Sequence, residues 1–522
     1  MSRKIDIFQV DTQQEPYSVQ NKPIVIVGAG IGGLSAACLL AARGEDVVII
    51  ERQAAPGGKM RHIPIDGALI DGGPTVFTMR YIFDAIFAEA GTSLEAELGL
   101  KPLSVLARHS WGHGAELDLF ADLKQSADAI AQFAGPAEGK NFLSFQAESR
   151  RVFNALKKPF IESQRPNPLS LATSSGLGGM LQLMRINPFE TLWSAVSRHF
   201  KDPRLRQLYG RYATYCGSSP FEAVATLMLI AHVEQDGVWS VDGGMHAVAR
   251  AFERVFLKLG GTIRYGVSAS EIEIEQGRVS ALITSDGERT ECSDMIINAD
   301  VNAVASGLFG SSVQHAVNAV PVKARSLSAI TWAAHLKTHD FPLERHNVFF
   351  SRDYKKEFGE LASGYPSDPT VYICAQDRPH HTGGNDRLLI LVNSPANGDH
   401  APQSHEKIEL AMRLKLAECG LSIEWDDTRV VTTPPSGFAG LFPATGGAIY
   451  GRASHGWLAS FQRAAAKTKI PGLYLAGGSA HPGPGVPMAA MSGRLAADAL
   501  MAQRASTRKF HRGAIAGGTS TR

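Results

Sequence analysis

The stretch Ile24-Val-Ile-Val-Gly28-Ala-Gly30-Ile-Gly32-Gly33 carries the most informative pattern of this 522-residue chain. Its four apolar residues predict a buried strand, and the glycines predict a tight turn into a helix. Gly28 permits the turn, Gly30 lets a pyrophosphate approach the backbone, and Gly33 lets the helix pack closely on the strand. The N-terminal end of such a helix attracts phosphate groups.

A second strand and an acidic residue complete the pattern. The apolar residues Val47–Ile50 predict the strand, and Glu51 follows at the position where a carboxylate can accept a hydrogen bond from a ribose hydroxyl. Strand, turn, helix, strand and acid in this order predict a site for an adenine dinucleotide. The pattern alone does not distinguish NAD from FAD.

The composition is that of an ordinary globular protein, with 44% hydrophobic residues, 20% charged residues and a net charge of +2. This charge does not indicate a nucleic-acid partner. The five cysteines form no Cys-x-x-Cys pair, which favours a reducing compartment over a disulfide framework or a zinc site. Residues 1–22 lack the apolar core of a signal peptide, and no run of about 18 apolar residues exists to span a bilayer. We therefore expect a cytoplasmic protein whose membrane contact is peripheral.

Two glycine-rich segments follow the acidic residue. Pro56-Gly-Gly58-Lys59, together with Arg61, predicts a loop whose N–H groups and cations suit a diphosphate. The segment Asp71-Gly-Gly73-Pro-Thr75 predicts backbone that lies against a flat ring, because paired glycines allow close approach. A surface turn is the alternative interpretation of the first segment, and a plain left-handed (αL) turn is that of the second.

A third motif lies near the C-terminus, in Ala476-Gly-Gly478-Ser-Ala-His481-Pro-Gly-Pro-Gly485-Val-Pro-Met488. A buried strand that enters a glycine-rich turn and then a helix is again compatible with phosphate, and it predicts a second helix N-terminus near the ring end of the cofactor. Nucleotide-binding pieces therefore occur at the start, middle and end of the chain. This interleaving favours a flavoprotein over a simple NAD dehydrogenase.

The remaining patterns predict a hairpin over Arg108–Phe120, irregular helices from Lys124 to about His232, and an amphipathic helix that ends near Leu259. The fold class is therefore α/β, with a Rossmann-like FAD-binding domain assembled from discontinuous segments, an inserted α+β substrate domain and a helical region. The predicted divisions are a flexible tail (1–21), a first FAD-binding segment with the hairpin (22–122), the helical region (123–237), a second FAD-binding segment (238–305), the substrate domain (306–465), a third FAD-binding segment (466–503) and a flexible basic tail (504–522).

Two further groups of residues allow more than one interpretation. Gly178–Met184, followed by Trp193, Arg198, Phe200 and Lys201, suits either a core helix or contact with a membrane interface. The histidines of the polar loop region could suggest a metal site, but no carboxylate or cysteine stands at ligand spacing, so we expect a solvated loop and no metal. These histidines are His380, His381, His400 and His405.

Over about residues 22–503 the chain resembles the bacterial carotenoid desaturases of the phytoene desaturase type. The resemblance rests on the opening motif through Lys59, on Asp71–Val76 and on Gly478–Pro487. Within that group, two segments are similar to the 1-hydroxycarotenoid 3,4-desaturases. They are Gly210-Arg-Tyr-Ala-Thr-Tyr-Cys-Gly-Ser-Ser-Pro-Phe221 and Val238-Trp-Ser-Val-Asp-Gly-Gly-Met245.

This resemblance implies a non-covalently bound FAD and a hydrophobic carotenoid drawn from the membrane. It implies hydride transfer from an allylic carbon to flavin N5 with loss of a proton from the neighbouring carbon, which creates a C3–C4 double bond. A quinone or oxygen is the implied electron acceptor, and the inner face of the membrane is the implied location, without nucleic acid or metal. The alternatives are a phytoene desaturase, a non-redox flavin-dependent carotenoid isomerase, a lipid-binding escort without catalysis and, more distantly, an amine oxidase.

The motifs and the resemblance together predict the site residues. The cofactor-binding set is Gly28, Gly30, Gly32, Gly33, Glu51, Arg52, Gly58, Lys59, Met60, Arg61, Gly73, Pro74, Thr75, Val267, Gly478, Val486, Pro487 and Met488. The relatives carry an acid and an arginine on a helix after the hairpin. Arg150 matches that arginine, whereas the position of the acid is Ala147 in this chain, with Glu148 beside it. The implied catalytic pair is therefore Arg150 and Glu148.

Overall fold

The computed structural model describes residues 22–166, 189–380, 383–400 and 404–515. The predicted N-terminal tail, the segment 178–184 and His381 lie outside the described residues.

A five-stranded parallel sheet forms the dinucleotide-binding layer. Its strands, in spatial order, are Leu473–Leu475, Asp294–Ile297, Ile24–Val27, Val47–Glu51 and Thr262–Tyr265. The central strand is buried along its whole length, as expected for a parallel sheet covered on both faces. Because these strands come from the start, middle and end of the chain, the predicted α/β fold with a discontinuous Rossmann-like domain is confirmed.

Two helices pack against each other at very short range beside the glycine turn that follows the central strand. The helix Ile31–Ala42 follows the glycine turn, and the long helix Val486–Ile515 crosses it. A Cβ atom at Gly493 would lie only 2.1 Å from the carbonyl oxygen of Gly32. Only glycine therefore allows the two backbones to approach this closely.

A seven-stranded mixed sheet forms the second layer. Its strands, in spatial order, are Val430–Thr433, Ser328–Leu336, Asp386–Ser394, Val371–Ala375, His346–Phe349, Val105–Ser110 and Glu116–Phe120. The last two form the predicted hairpin, and they join this sheet through the parallel pair with His346–Phe349. The hairpin, which the sequence groups with the first FAD-binding segment (22–122), therefore lies in the second sheet. Its buried Leu117 and Leu119 pack in the core beneath that sheet.

The described parts of the region 123–237, residues 123–166 and 189–237, are mainly helical, as predicted. Phe200 is fully buried there and stacks on Tyr209 at 4.9 Å between ring centroids, and Trp193 packs on Phe221 at 4.7 Å. For Phe200 and Trp193 the core interpretation is thus the one that the structure supports. The helices here are Leu123–Ala134, Pro136–Leu156, Leu192–His199, Pro203–Gly210 and Leu229–Asp236, with helical turns at Lys157–Ile161, Arg211–Cys216 and Ala225–Met228.

Smaller elements complete the fold. The remaining helices are Arg80–Glu89, Leu94–Glu97, His246–Lys258, Val301–Ala305, Tyr354–Leu361, Glu406–Glu418 and Pro435–Leu441. The remaining strands are Ala269–Glu275, Arg278–Thr284 and Arg289–Glu291 in a three-stranded sheet, and His62–Ile65, Ala68–Asp71, Leu100–Pro102, Trp239–Val241, Thr338–His339 and Ser422–Ile423 in three pairs.

The C-terminal helix continues past residue 504, where the sequence predicts a flexible tail to begin. Arg504 anchors this end of the helix, because its guanidinium lies 2.8 Å from a carboxylate oxygen of Asp294 and also pairs with Glu45. Within the described ranges, no helix has both the length and the apolar character needed to cross a membrane.

Candidate active site

A cavity of about 1860 Å³ runs between the two sheets. This volume exceeds the roughly 300–1,000 Å³ of a typical small-molecule pocket, so the cavity has room for a dinucleotide and a second ligand. Every predicted cofactor-binding residue except Gly33 lines it. The structure thus brings the separate sequence motifs into one place.

The glycine turn has the geometry that the sequence predicts. Gly28 has a φ of +99°, and a Cβ atom there would lie 2.8 Å from the carbonyl oxygen of Asn298. Gly33 does not face the cavity; a Cβ atom there would lie 2.2 Å from the carbonyl oxygen of Gly28. The helix Ile31–Ala42 has Gly30 as its N-cap residue and no side-chain cap, which leaves its first N–H groups available to a phosphate.

Glu51 is buried at the end of the second strand. Its carboxylate accepts hydrogen bonds from the N–H groups of Ala29, at 2.6 Å, and Gln53, at 2.8 Å. Two bonds leave a carboxylate with further acceptor capacity, which a ribose hydroxyl could use. Val267 lies beside it, since its N–H donates to the carbonyl of Glu51 at 3.1 Å.

Asn298, which directly follows the buried strand Asp294–Ile297, connects the three nucleotide-binding segments. Its Nδ2 donates to the carbonyl of Gly28 at 3.2 Å. A Cβ atom at Gly477 would lie 2.9 Å from its Oδ1, and one at Gly30 would lie 2.7 Å from its Nδ2. A polar residue directly after a buried parallel strand is the pattern that could have indicated this role.

The loop segments after Glu51 fit closely against each other. A Cβ atom at Gly73 would lie 1.8 Å from the carbonyl oxygen of Lys59, so this glycine is required where the two loops meet. The Nζ of Lys59 donates to the carbonyl of Ile449 at 2.5 Å, and burial lowers the pKa of this ammonium below its usual value. Arg61 donates to the hydroxyl of Thr433 at 3.1 Å. The contacts of both cations with a diphosphate remain predictions.

Asp71 has a structural role within the second loop. Its carboxylate accepts hydrogen bonds from the N–H groups of Met245, at 2.8 Å, and His246, at 3.3 Å, at the start of a helix. A Cβ atom at Gly244 would lie 2.4 Å from the same carboxylate. Asp71 thereby holds the loop Gly72–Thr75 at the cavity wall.

The half of the cavity away from the glycine turn is mostly apolar. Its lining includes Leu156, Phe160, Ile161, Leu227, Leu229, Ile230, Val233, Leu389, Leu391 and Phe461. Such a lining suits a long hydrophobic ligand.

The predicted catalytic pair does not lie on this cavity. Glu148 forms an ion pair with His199 at 3.1 Å, and Arg150 is exposed. Neither residue is part of the cavity lining. Charged residues that do line it beside the apolar side chains include Glu190, Arg211, Glu234 and Arg463, and none of them stands in a motif that predicts a catalytic role. The helix Pro136–Leu156 directs its buried face inward at Phe145 and Ser149, and this turns positions 148 and 150 away.

Among the described residues, no group of three or more His, Cys, Asp or Glu side chains is arranged to hold a metal ion.

Comparison with known proteins places this geometry in a family. Residues 31–501 match the family description "Flavin containing amine oxidoreductase". The chain belongs to this family. FAD is its cofactor, and the chain is an FAD-dependent oxidoreductase. The resemblance to the bacterial carotenoid desaturases is confirmed by two relatives, both named hydroxyneurosporene desaturase.

The first relative, from Rubrivivax gelatinosus, is 52% identical over 508 residues, which cover 96% of this chain and 97% of that protein. The second, from Cereibacter sphaeroides, is 41% identical over 490 residues, which cover 92% of this chain and 98% of that protein. This chain is also similar to a solved structure of putrescine oxidase with bound putrescine, with a sequence identity of 16% and a TM-score of 0.57. The match covers 92% of this chain and 99% of that one. At this identity the likeness shows a shared fold alone.

Proposed function

We propose that this protein is a carotenoid desaturase that introduces a C3–C4 double bond into a 1-hydroxycarotenoid. The observation that carries the proposal is the 52% identity, over 96% of the chain, to a protein named hydroxyneurosporene desaturase. The cavity supports it, because its apolar half continues directly from the predicted flavin-binding segments. A long polyene could therefore place its reacting carbons beside the flavin.

FAD, when bound, supplies a hydride acceptor at N5. The protein's own role is to hold the cofactor and orient the substrate. The glycine turn and Glu51 are placed to hold the dinucleotide half, and Thr75 and Met488 line the cavity near the predicted ring position. The apolar lining excludes water from the reacting carbons and positions the polyene.

Turnover with matched substrates tests this function. Purified protein with FAD and liposomes is incubated with 1-hydroxyneurosporene and, separately, with phytoene, and the carotenoid products are identified by their absorbance. We expect a red shift with the hydroxylated substrate, because one more double bond joins the conjugated system. Conversion of phytoene alone would indicate a phytoene desaturase. A change of double-bond geometry without a longer polyene would indicate an isomerase.

We also propose that the protein takes its substrate from the inner face of the membrane. Two exposed aromatic residues support this: Phe189 is 77% exposed, Trp457 is 41% exposed, and their ring centroids lie 5.3 Å apart. Both residues also line the cavity. An exposed aromatic pair at a cavity entrance suits insertion into a lipid interface.

Liposome flotation tests the membrane proposal. The double variant Phe189→Glu and Trp457→Glu is expected to lose liposome binding and turnover of lipid-dissolved substrate. The matched control changes Leu410 and Leu414 to Glu, because these residues are 59% and 61% exposed on the helix Glu406–Glu418. Equal binding by both double variants would contradict the proposed entrance.

The electron acceptor is proposed to be a quinone or oxygen. To separate the two, the reduced protein is mixed with a quinone or with oxygen, and the return of the oxidised flavin is measured by its absorbance. If neither the quinone nor oxygen increases the rate of flavin re-oxidation, both proposed acceptors are contradicted.

A further inference from the structure

A half-buried polar cluster lies among the apolar side chains of the cavity lining. Its members are Arg211, Tyr215 and Glu234, which all line the cavity, and Tyr212 behind them. The surrounding lining includes Leu229, Ile230 and Val233. Polar and charged groups are costly to bury in apolar surroundings unless they are paired or bind a ligand.

Glu234 is held by two tyrosines. Its carboxylate accepts hydrogen bonds from the hydroxyl of Tyr212, at 2.6 Å, and from that of Tyr215, at 2.8 Å. Burial raises the pKa of Glu234, whereas the two hydroxyls and the Arg211 guanidinium act in the opposite direction. Each carboxylate oxygen therefore has a fixed partner within the cluster.

Arg211 is less fully paired. Its Nη1 donates to the hydroxyl of Tyr215 at 3.1 Å, and its guanidinium lies above the rings of Tyr215, at 5.1 Å, and Tyr372, at 5.5 Å. Within the described part of the chain, the carboxylate near it, Glu234, is linked to it through the hydroxyl of Tyr215 rather than by a direct ion pair. A guanidinium has five N–H donors, so Arg211 retains donors for a ligand in the cavity that it lines.

This cluster lies near the predicted ring end of the cofactor. The hydroxyl of Tyr372, whose ring Arg211 covers, shares a hydrogen bond of 2.7 Å with the hydroxyl of Thr75. Thr75 belongs to the loop predicted to lie against the flavin ring. In a 1-hydroxycarotenoid, only C2 separates the carbon that carries the hydroxyl from C3. A substrate whose C3–C4 bond reacts at the flavin must therefore place its hydroxyl in this region of the cavity.

We propose that Arg211 donates a hydrogen bond to the tertiary hydroxyl of the substrate and selects for the hydroxylated end group. Tyr215 and Glu234 are positioning residues, because they act through Arg211. The inference rests on the proposed function and deepens it. A substrate without the hydroxyl leaves a buried donor unpaired, and a site built to hydrogen-bond a hydroxyl discriminates strongly against such an analogue.

The test compares 1-hydroxyneurosporene with neurosporene, which lacks the hydroxyl, in the FAD-loaded protein. The ratio of kcat/KM for the two substrates is measured in the wild type and in Arg211→Met. We expect the wild type to prefer the hydroxylated substrate by at least about tenfold, and Arg211→Met to lose most of this preference through a higher KM. The matched control is Arg206→Met, because Arg206 donates to the carbonyl of Phe200 and does not line the cavity.

Two further variants keep the test informative if Arg211→Met binds less flavin or folds poorly. Tyr215→Phe removes a single hydroxyl and is expected to give a smaller loss of preference, and Arg211→Lys is expected to restore some of it. If the wild type desaturates 1-hydroxyneurosporene with an unchanged preference in Arg211→Met and Tyr215→Phe, the inference is overturned and the proposed function stands. If the wild type converts neither substrate, the proposed function itself fails.

Discussion

The side-chain amide of Asn298 donates a hydrogen bond of 3.2 Å to the backbone carbonyl of Gly28. This bond ties the strand Asp294–Ile297, from the middle of the chain, to the turn that opens the dinucleotide site. The same side chain lies against Gly477 of the C-terminal segment. One residue thus holds together three segments of the chain that are far apart in sequence.

Replacement of Asn298 by alanine is expected to destabilise the protein by about 1–2 kcal/mol and to weaken FAD binding several-fold, because the carbonyl of Gly28 loses its partner. Thermal melting and titration of released flavin measure the two effects. The control is Asn302→Ala. Asn302 bonds the backbone of Val320 in a similar way but does not line the cavity. Asn302→Ala is expected to lose stability without a change in FAD affinity. An equal loss of FAD affinity in both variants would contradict this role for Asn298.

Gly33→Ala is expected to destabilise the protein by about 3 kcal/mol, because the added methyl group would lie against the carbonyl oxygen of Gly28. Gly359→Ala is the matched control, since Gly359 also lies in a helix but has nothing within 4 Å of the added atom. Its expected effect is a gain of up to about 1 kcal/mol from helix propensity. Similar melting temperatures for the two variants would rule out the close packing at Gly33.

Glu51→Ala is expected to weaken FAD binding by about tenfold to a hundredfold, since a hydrogen bond to a charged group contributes about 1.5–3 kcal/mol. Flavin content after purification and a dissociation constant from fluorescence measure the change. Glu253→Ala is the control, because Glu253 is equally buried and pairs with Tyr265 and Arg250 away from the cavity. Unchanged flavin occupancy in Glu51→Ala would remove the role assigned to this carboxylate.

A lower pH is expected to reduce the free energy of unfolding through protonation of His109 in the unfolded state. Burial lowers the pKa of this imidazole to about 3, from an ordinary value of about 6.5. Because the folded-state pKa is depressed, the stability contribution is complete above about pH 6.5 and is lost as the pH falls toward 3. His109→Asn, which can still donate to the carbonyl of Leu117, should reduce the slope of stability against pH by up to about 1.4 kcal/mol per unit. Parallel curves of melting temperature between pH 6.5 and 4.5 would contradict this.

The sequence predicts those features of the site that depend on local patterns. The glycine turn, its strand and Glu51 follow one another within about thirty residues, so a single stretch specifies their geometry. The spacing predicts a packing role for Gly33, and this glycine, although the predicted cofactor-binding set includes it, does not line the cavity.

Other features depend on contacts between distant segments. The hairpin Arg108–Phe120 is recognisable from its alternating residues, but its partner strand His346–Phe349 is more than 200 residues away. Arg211 and Glu234 face each other across Tyr215 only after two helical segments have packed. The orientation of Glu148 and Arg150 depends in the same way on which helix face is buried. Such side-chain positions follow from tertiary packing, and a single sequence does not determine them.

Anaerobic mixing of the FAD-loaded protein with 1-hydroxyneurosporene examines the redox reaction itself. Flavin absorbance and carotenoid absorbance are followed together in the absence of any electron acceptor. We predict that the flavin is bleached and that one equivalent of the longer polyene forms for each flavin reduced. A carotenoid change without flavin bleaching, or no change in either, would contradict a flavin-dependent desaturase.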